Sequence, residues 1–203
     1  MTTLLADPHN AAPIWSPNRY PNGATDCRWL VLHTQQGNGT ARSLAGYCSR
    51  SSSGVSYHDA VDALEMIQMV RYADAPWSAA NANGVAEHMC FGGSFAEWTR
   101  AQWLDPDKDA DGINQDAMLW RGAAWAAWRA QVNDIPIVWV SDGTPPRSRG
   151  ITGHMNLGAW GGGHSDPGPS FPKDIFIERV QSLIGGNTGT EWDEVMRELV
   201  GGN

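Results

Sequence analysis

The chain has 203 residues, 41% of them hydrophobic and 18% charged, enough for one globular domain with a full core. Its formal charge of −8 argues against a protein that grips nucleic acid through an excess of Lys and Arg. The same charge gives no pull toward an anionic cell wall, so recognition there would rest on specific contacts. No apolar run approaches the ~18–20 residues of a membrane-spanning helix, so no membrane insertion is expected. Residues 1–10 carry no basic residue and no apolar core of signal-peptide length, so no signal peptide is expected.

Three cysteines, Cys27, Cys48 and Cys90, are too few and too scattered for a disulfide framework and form no CxxC pair. They read as reduced, small apolar residues. Eleven tryptophans are a high count for this length. Many are expected in the core, and some can line a groove with a flat apolar face and a polar N–H.

In chain order, residues 1–27 are loop-like and rich in Pro and Asn. Residues 28–33 read as a buried strand ending at His33, and Gly37-Asn38-Gly39 breaks it. Thr40 is placed to cap a short helix carrying Leu44, Tyr47 and Cys48. After the Ser51–Gly54 loop, 55–61 and 65–70 read as two strands joined tightly at Asp62-Ala63, and 85–91 as another. The stretch 99–104 resembles a helical turn, and 114–131 a longer helix with Trp120, Ala124 and Trp128 along one face. Residues 135–140 form an apolar run expected as a strand, and 174–184 an amphipathic helix burying Phe176, Val180, Leu183 and Ile184. This alternation predicts an α/β domain with a mixed central sheet flanked by helices. It spans 1–184, with its core at about 27–184. Residues 185–203 read as a Gly-rich linker and a short amphipathic helix over 190–200, which either docks back on the domain or begins a further module.

Chemistry-bearing residues gather in two places. An apolar strand delivers His33, and a Gly-rich stretch holds His154, His164 and Asp166. A histidine on an apolar strand can be a hydrogen-bonded core residue or a ligand. His33, His154 and Asp166 together would supply the two nitrogens and one oxygen of a catalytic zinc site with an open fourth position. The acidic stretch 107–112 resembles the start of a calcium loop, but position twelve is Met118 where a bidentate Glu is expected, so it reads as an acidic surface loop.

Taken in order, Leu30-Val31-Leu32-His33-Thr34, Val55-Ser56-Tyr57-His58, Asn83-Gly84-Val85, 99–104, Ile135-Pro136-Ile137, Gly153-His154 and His164-Ser165-Asp166-Pro167-Gly168 resemble the type 2 N-acetylmuramoyl-L-alanine amidases. These are zinc enzymes that include phage endolysin catalytic domains and are related to peptidoglycan recognition proteins. The resemblance covers 27–184. It implies a zinc site in a surface groove, with His33, His154 and Asp166 as ligands. It implies hydrolysis of the amide between N-acetylmuramic acid and L-alanine in peptidoglycan. Tyr57 matches a tyrosine beside the zinc water, and His164 a position where relatives carry Lys or Thr toward the oxyanion.

His58, Asn83 and His88 are candidate substrate contacts, His58 also being a candidate for a structural role beneath the ligands. Family members carry a catalytic Glu after an Asn-x-x-Ile-Gly-Ile pattern. Here that position falls near Glu87 or His88, so the proton-transfer group stays open among Tyr57, His164, Glu87 and His88. The resemblance further implies a monomeric phage lysin, held in the host cytoplasm until lysis and then acting on the cell wall, with a wall-binding module after the linker. Two rival readings are a peptidoglycan-binding module without activity and a zinc peptidase cutting within the stem peptide.

Overall fold

The computed structural model describes residues 4–106 and 114–185. Strand β1 is Arg19–Tyr20, β2 Trp29–Thr34, β3 Asp59–Val61, β4 Met66–Gln68, β5 Ala75–Pro76, β6 Ala86–Phe91 and β7 Gly150–Gly153. The helices are α1 Ala41–Cys48, α2 Arg100–Trp103, α3 Gln115–Asn133 and α4 Lys173–Gly185. Five strands form the main sheet in the order β4-β3-β6-β2-β7, and β1 pairs with β5 separately. Only β4 runs antiparallel in the main sheet; β3, β6, β2 and β7 are parallel. The expected mixed α/β architecture is what forms.

β2 and β6 are buried along their full length, as expected for parallel strands covered on both faces. Alternation sorts their side chains. Leu30, Leu32, Met89 and Phe91 face α3 and α4, joining Met118, Trp125, Phe176 and Val180 in the largest core cluster. On the opposite face, Cys90 and Ala60 pack on Ala41, Leu44 and Cys48 of α1, while Trp29, Val31 and Ala86 pack with Ala82 and Leu157. His33 and His88 share the alternation of this second face.

Local signals set the helix starts. Thr40 accepts from the Ser43 N–H, and its own N–H donates to Ser43 Oγ, a capping box that opens α1. Thr99 and Gln102 do the same for α2. Asp62 Oδ1 accepts from the N–H groups of Leu64 and Glu65 at 2.7 Å each, which makes the tight β3–β4 link.

Three expectations need correction. The strands at 55–61 and 65–70 are shorter, three residues each, and Tyr57 and His58 lie in the segment leading into β3. The run 135–140 is not a strand; only a Trp139–Ile151 bridge joins it to β7. Pro136 has no N–H to donate, and its carbonyl instead accepts from Val138. On α3 the fully buried aromatic is Trp125, whereas Trp120 and Trp128 are half-buried. That helix is packed between the sheet and α4, so residues around most of its circumference are covered.

All three cysteines are free, with Cys48 and Cys90 buried. No helix among the described residues is long and apolar enough to cross a membrane. The 107–112 loop and the 190–200 helix lie outside the described residues.

Candidate active site

In a parallel sheet, ligands bind beyond the carboxyl ends of the strands, and the candidate residues gather there. His33 is the penultimate residue of β2. His154 follows directly on β7 and opens a turn of 3-10 helix. Asp166 comes from the loop before α4 and is tied to both. Its Oδ2 accepts from the Thr34 N–H at 3.3 Å, and its carbonyl accepts from the Met155 N–H at 2.8 Å. Gly153 permits the approach of that loop, since a Cβ there would stand 2.5 Å from Pro167 Cδ. Gly162, at φ 107°, adopts a left-handed turn that L side chains resist, just before His164.

The carboxylate of Asp166 is shared. Its Oδ2 lies 3.1 Å from His33 Nδ1 and its Oδ1 3.2 Å from His154 Nδ1. Ligand atoms of the three residues lie within 4.8 Å of one another, and all three residues are buried. His154 Nε2 donates to the Gly161 carbonyl at 2.8 Å, so in the neutral ring Nδ1 carries a lone pair toward Asp166. Burial drives the His33 pKa down to about 4, with Asp166 opposing and His154 assisting, which favours the neutral ring a metal requires. For Asp166, burial works against ionisation, but His154 and His33 outweigh it and hold the carboxyl well below its usual range.

Lone pairs converging on one point, with a carboxylate among them, suit a cation. Tetrahedral coordination at ~2.0–2.2 Å would separate ligand atoms by roughly 3.3 Å, close to the two histidine–carboxylate distances. The donor set therefore fits a divalent metal with an open side toward the cavity.

That cavity has a volume of about 630 Å³ and is lined by Tyr57, Asn83, His154, His164 and Asp166, with Tyr20 and Trp77 also on its wall. The rings of Tyr20 and Trp77 stand 5.6 Å apart. Tyr57 lies beside His33, ring centroids 4.9 Å apart, and burial pushes its phenol well above its ordinary pKa, so it stays a hydrogen-bond donor. His164 is exposed and stacks flat on His154, centroids 4.6 Å apart and 16° between planes. Asn83 also braces its own loop, accepting from the N–H groups of Ser78 and Ala79.

The other candidates lie elsewhere. His58 and His88 are buried, at 1% and 0% exposure, and are absent from the cavity lining. His88 sits beneath His33, its Nδ1 3.1 Å from His33 Nε2. Glu87 points to the opposite face of the sheet and pairs with Arg129. Sequence reasoning missed the packing of His88 under His33. The period-two alternation of Ala86, His88 and Cys90 was the available signal, but it needed the β2–β6 register to be read.

Solved structures share this architecture. Staphylococcus aureus hydrolase AmiA in complex with its ligand matches with a TM-score of 0.63 at 14% identity, covering 86% of this chain and 83% of that one. An AmpD derivative matches at 0.59 and 17% identity, covering 88% and 99%. The endolysin N-acetylmuramoyl-L-alanine amidase LysCS from Clostridium intestinale matches at 0.57 and 12% identity, covering 85% and 97%. This chain has the amidase fold. No family model and no curated protein matches its sequence. Within that fold, the His–His–Asp cluster lies at the strand ends and opens through His154 and Asp166 to the cavity.

Proposed function

We propose that this chain is a zinc-dependent N-acetylmuramoyl-L-alanine amidase, hydrolysing the amide between the lactyl group of N-acetylmuramic acid and L-alanine in peptidoglycan. The observation that carries the reading is the convergence of His33, His154 and Asp166 at the floor of an open cavity in an amidase fold. LysCS is named as an amidase of this specificity, and the cluster supplies a donor set for the metal. The finer role we assign is that of a phage lysin acting on the cell wall as a monomer.

Zinc, when bound, supplies Lewis acidity that readies a water for attack near neutral pH and polarises the scissile carbonyl. His33 and His154 would hold the metal through ring nitrogens, and the Asp166 carboxylate would offset one positive charge. Tyr57, protonated beside His33, donates a hydrogen bond to the attacking water or to the developing oxyanion. As water adds to the carbonyl carbon, the C–N bond breaks and the alanine nitrogen must gain a proton. Among the described residues lining the cavity, the only carboxylate is Asp166, which is committed to the metal. His164, exposed at the rim beside His154, is therefore assigned the proton transfer to the leaving nitrogen.

Product analysis tests this reading. Digestion of purified peptidoglycan should release whole stem peptides with a free L-alanine amino group, identified by mass. Shortened peptides left on the glycan would instead identify a peptidase, and binding without release a recognition module.

A further inference from the structure

We infer that His88 is a positioning residue that fixes the tautomer of His33 and thereby aims its Nδ1 at the metal. This rests on the reading of His33 as a ligand. His88 is fully buried, and its two ring nitrogens face different kinds of group. Nε2 lies 3.4 Å from the Ala82 carbonyl, an acceptor, so Nε2 carries the hydrogen. In the neutral ring Nδ1 is then an acceptor, and it faces His33 Nε2 at 3.1 Å. His33 must donate there, which leaves the lone pair on its Nδ1, 3.1 Å from Asp166 Oδ2. This proton assignment satisfies the Ala82 carbonyl, both nitrogens of His88 and Nε2 of His33, and leaves a lone pair on His33 Nδ1 facing the Asp166 carboxylate, an arrangement that a cation between them would complete.

His88 is itself held. Its backbone N–H donates to His58 Nδ1 at 3.0 Å, and its carbonyl accepts from the His58 N–H at 2.9 Å. His58 Nε2 donates to the Asp74 carbonyl at 3.2 Å, which settles the tautomer of that ring as well. The two imidazoles lie nearly parallel, 13° between planes. His58 thus clamps β6 at the residue that clamps His33. Ligating histidines usually donate their second N–H to a carboxylate, a backbone carbonyl or water. A neutral imidazole in that place orients His33 without adding negative charge, so the metal keeps more of its electrophilic character.

The test compares His88→Leu with His88→Gln, since the Gln amide can both accept from His33 and donate to Ala82. Zinc affinity is measured by chelator competition, and the melting of the chelated proteins is followed in parallel. Loss of a partner of this kind weakens metal binding ~10–100-fold. The inference predicts that loss in His88→Leu and its recovery in His88→Gln. A merely structural His88 would shift the melting of the chelated proteins and leave zinc affinity the same in both variants, which would overturn the inference. Long-range proton–nitrogen NMR of the unaltered zinc-loaded protein gives a second reading that needs no variant. Hydrogens on Nε2 of both His33 and His88 support the inference, and a hydrogen on His88 Nδ1 overturns it. An unaltered chain that takes up no zinc removes the metal reading, and this inference with it. Full zinc uptake with unchanged affinity in His88→Leu removes the inference alone.

Discussion

Arg129 of α3 and Glu87 of β6 form a two-pronged ion pair, with Nε–Oε2 and Nη2–Oε1 distances both 2.6 Å, on the face of the sheet away from the cavity. Both side chains are only 7% exposed, and the guanidinium also lies 3.6 Å over the Tyr72 ring. Glu87 is therefore a structural group. Removing one partner of a buried pair leaves the other uncompensated and costs ~3–5 kcal/mol. Glu87→Ala should show that loss in denaturant unfolding, while the folded protein keeps its zinc and its turnover. Unchanged stability with lost turnover would return Glu87 to the catalytic group.

Asp166→Ala should lose zinc and activity together, because Asp166 is the one anionic member of the cluster and touches both histidines. Metal analysis beside an activity assay checks this. Retained zinc with full activity would remove Asp166 from the ligand set.

Tyr57→Phe deletes one hydroxyl and leaves the ring beside His33. It should keep zinc and slow turnover tenfold or more, ~1.4 kcal/mol or more of transition-state stabilisation. An unchanged kcat would make Tyr57 a packing residue.

His164→Ala should leave zinc bound and lower kcat, since the ring stacks on His154 at the rim and is not among the three clustered residues. Loss of metal would instead make His164 a ligand.

A pH effect is expected at a histidine outside the cavity lining. His9 bridges Asp7 and the fully buried Asp59, at 2.5 Å and 2.6 Å. Burial of His9 opposes its charge, but the two carboxylates outweigh this and raise its pKa from 6.5 to about 9. A histidine raised on folding contributes its stability fully below about pH 6.5, and that contribution is lost as the pH climbs through about 9, ~3 kcal/mol at most. His9→Ala should therefore destabilise strongly at pH 6 and weakly at pH 10. Equal destabilisation at both pH values, by denaturant unfolding, would contradict the charged bridge.

The strand carrying His33 was legible because a buried parallel strand reads as an unbroken apolar run, and α1 because Thr40 and Ser43 form a local capping box. The gathering of His33 with residues 154 and 166 rested on family resemblance, since a separation of more than a hundred positions carries no distance information. What escaped were features set by tertiary packing. Trp125 is buried because α3 is enclosed on several sides, which a one-face pattern such as Trp120, Ala124 and Trp128 cannot express. The run 135–140 has strand-like composition, but Pro136 interrupts its pairing. His88 reaches His33 only through the β2–β6 register, which pairs Val31 with His88 and His33 with Cys90.

The most direct measurement counts zinc in the purified chain and follows stem-peptide release from peptidoglycan before chelation, after chelation and after zinc is restored. The account predicts about one zinc per chain, as for a single site with three protein ligands, with release of peptides beginning in L-alanine that chelation abolishes and zinc restores. Release that continues unchanged in the metal-free protein would contradict it.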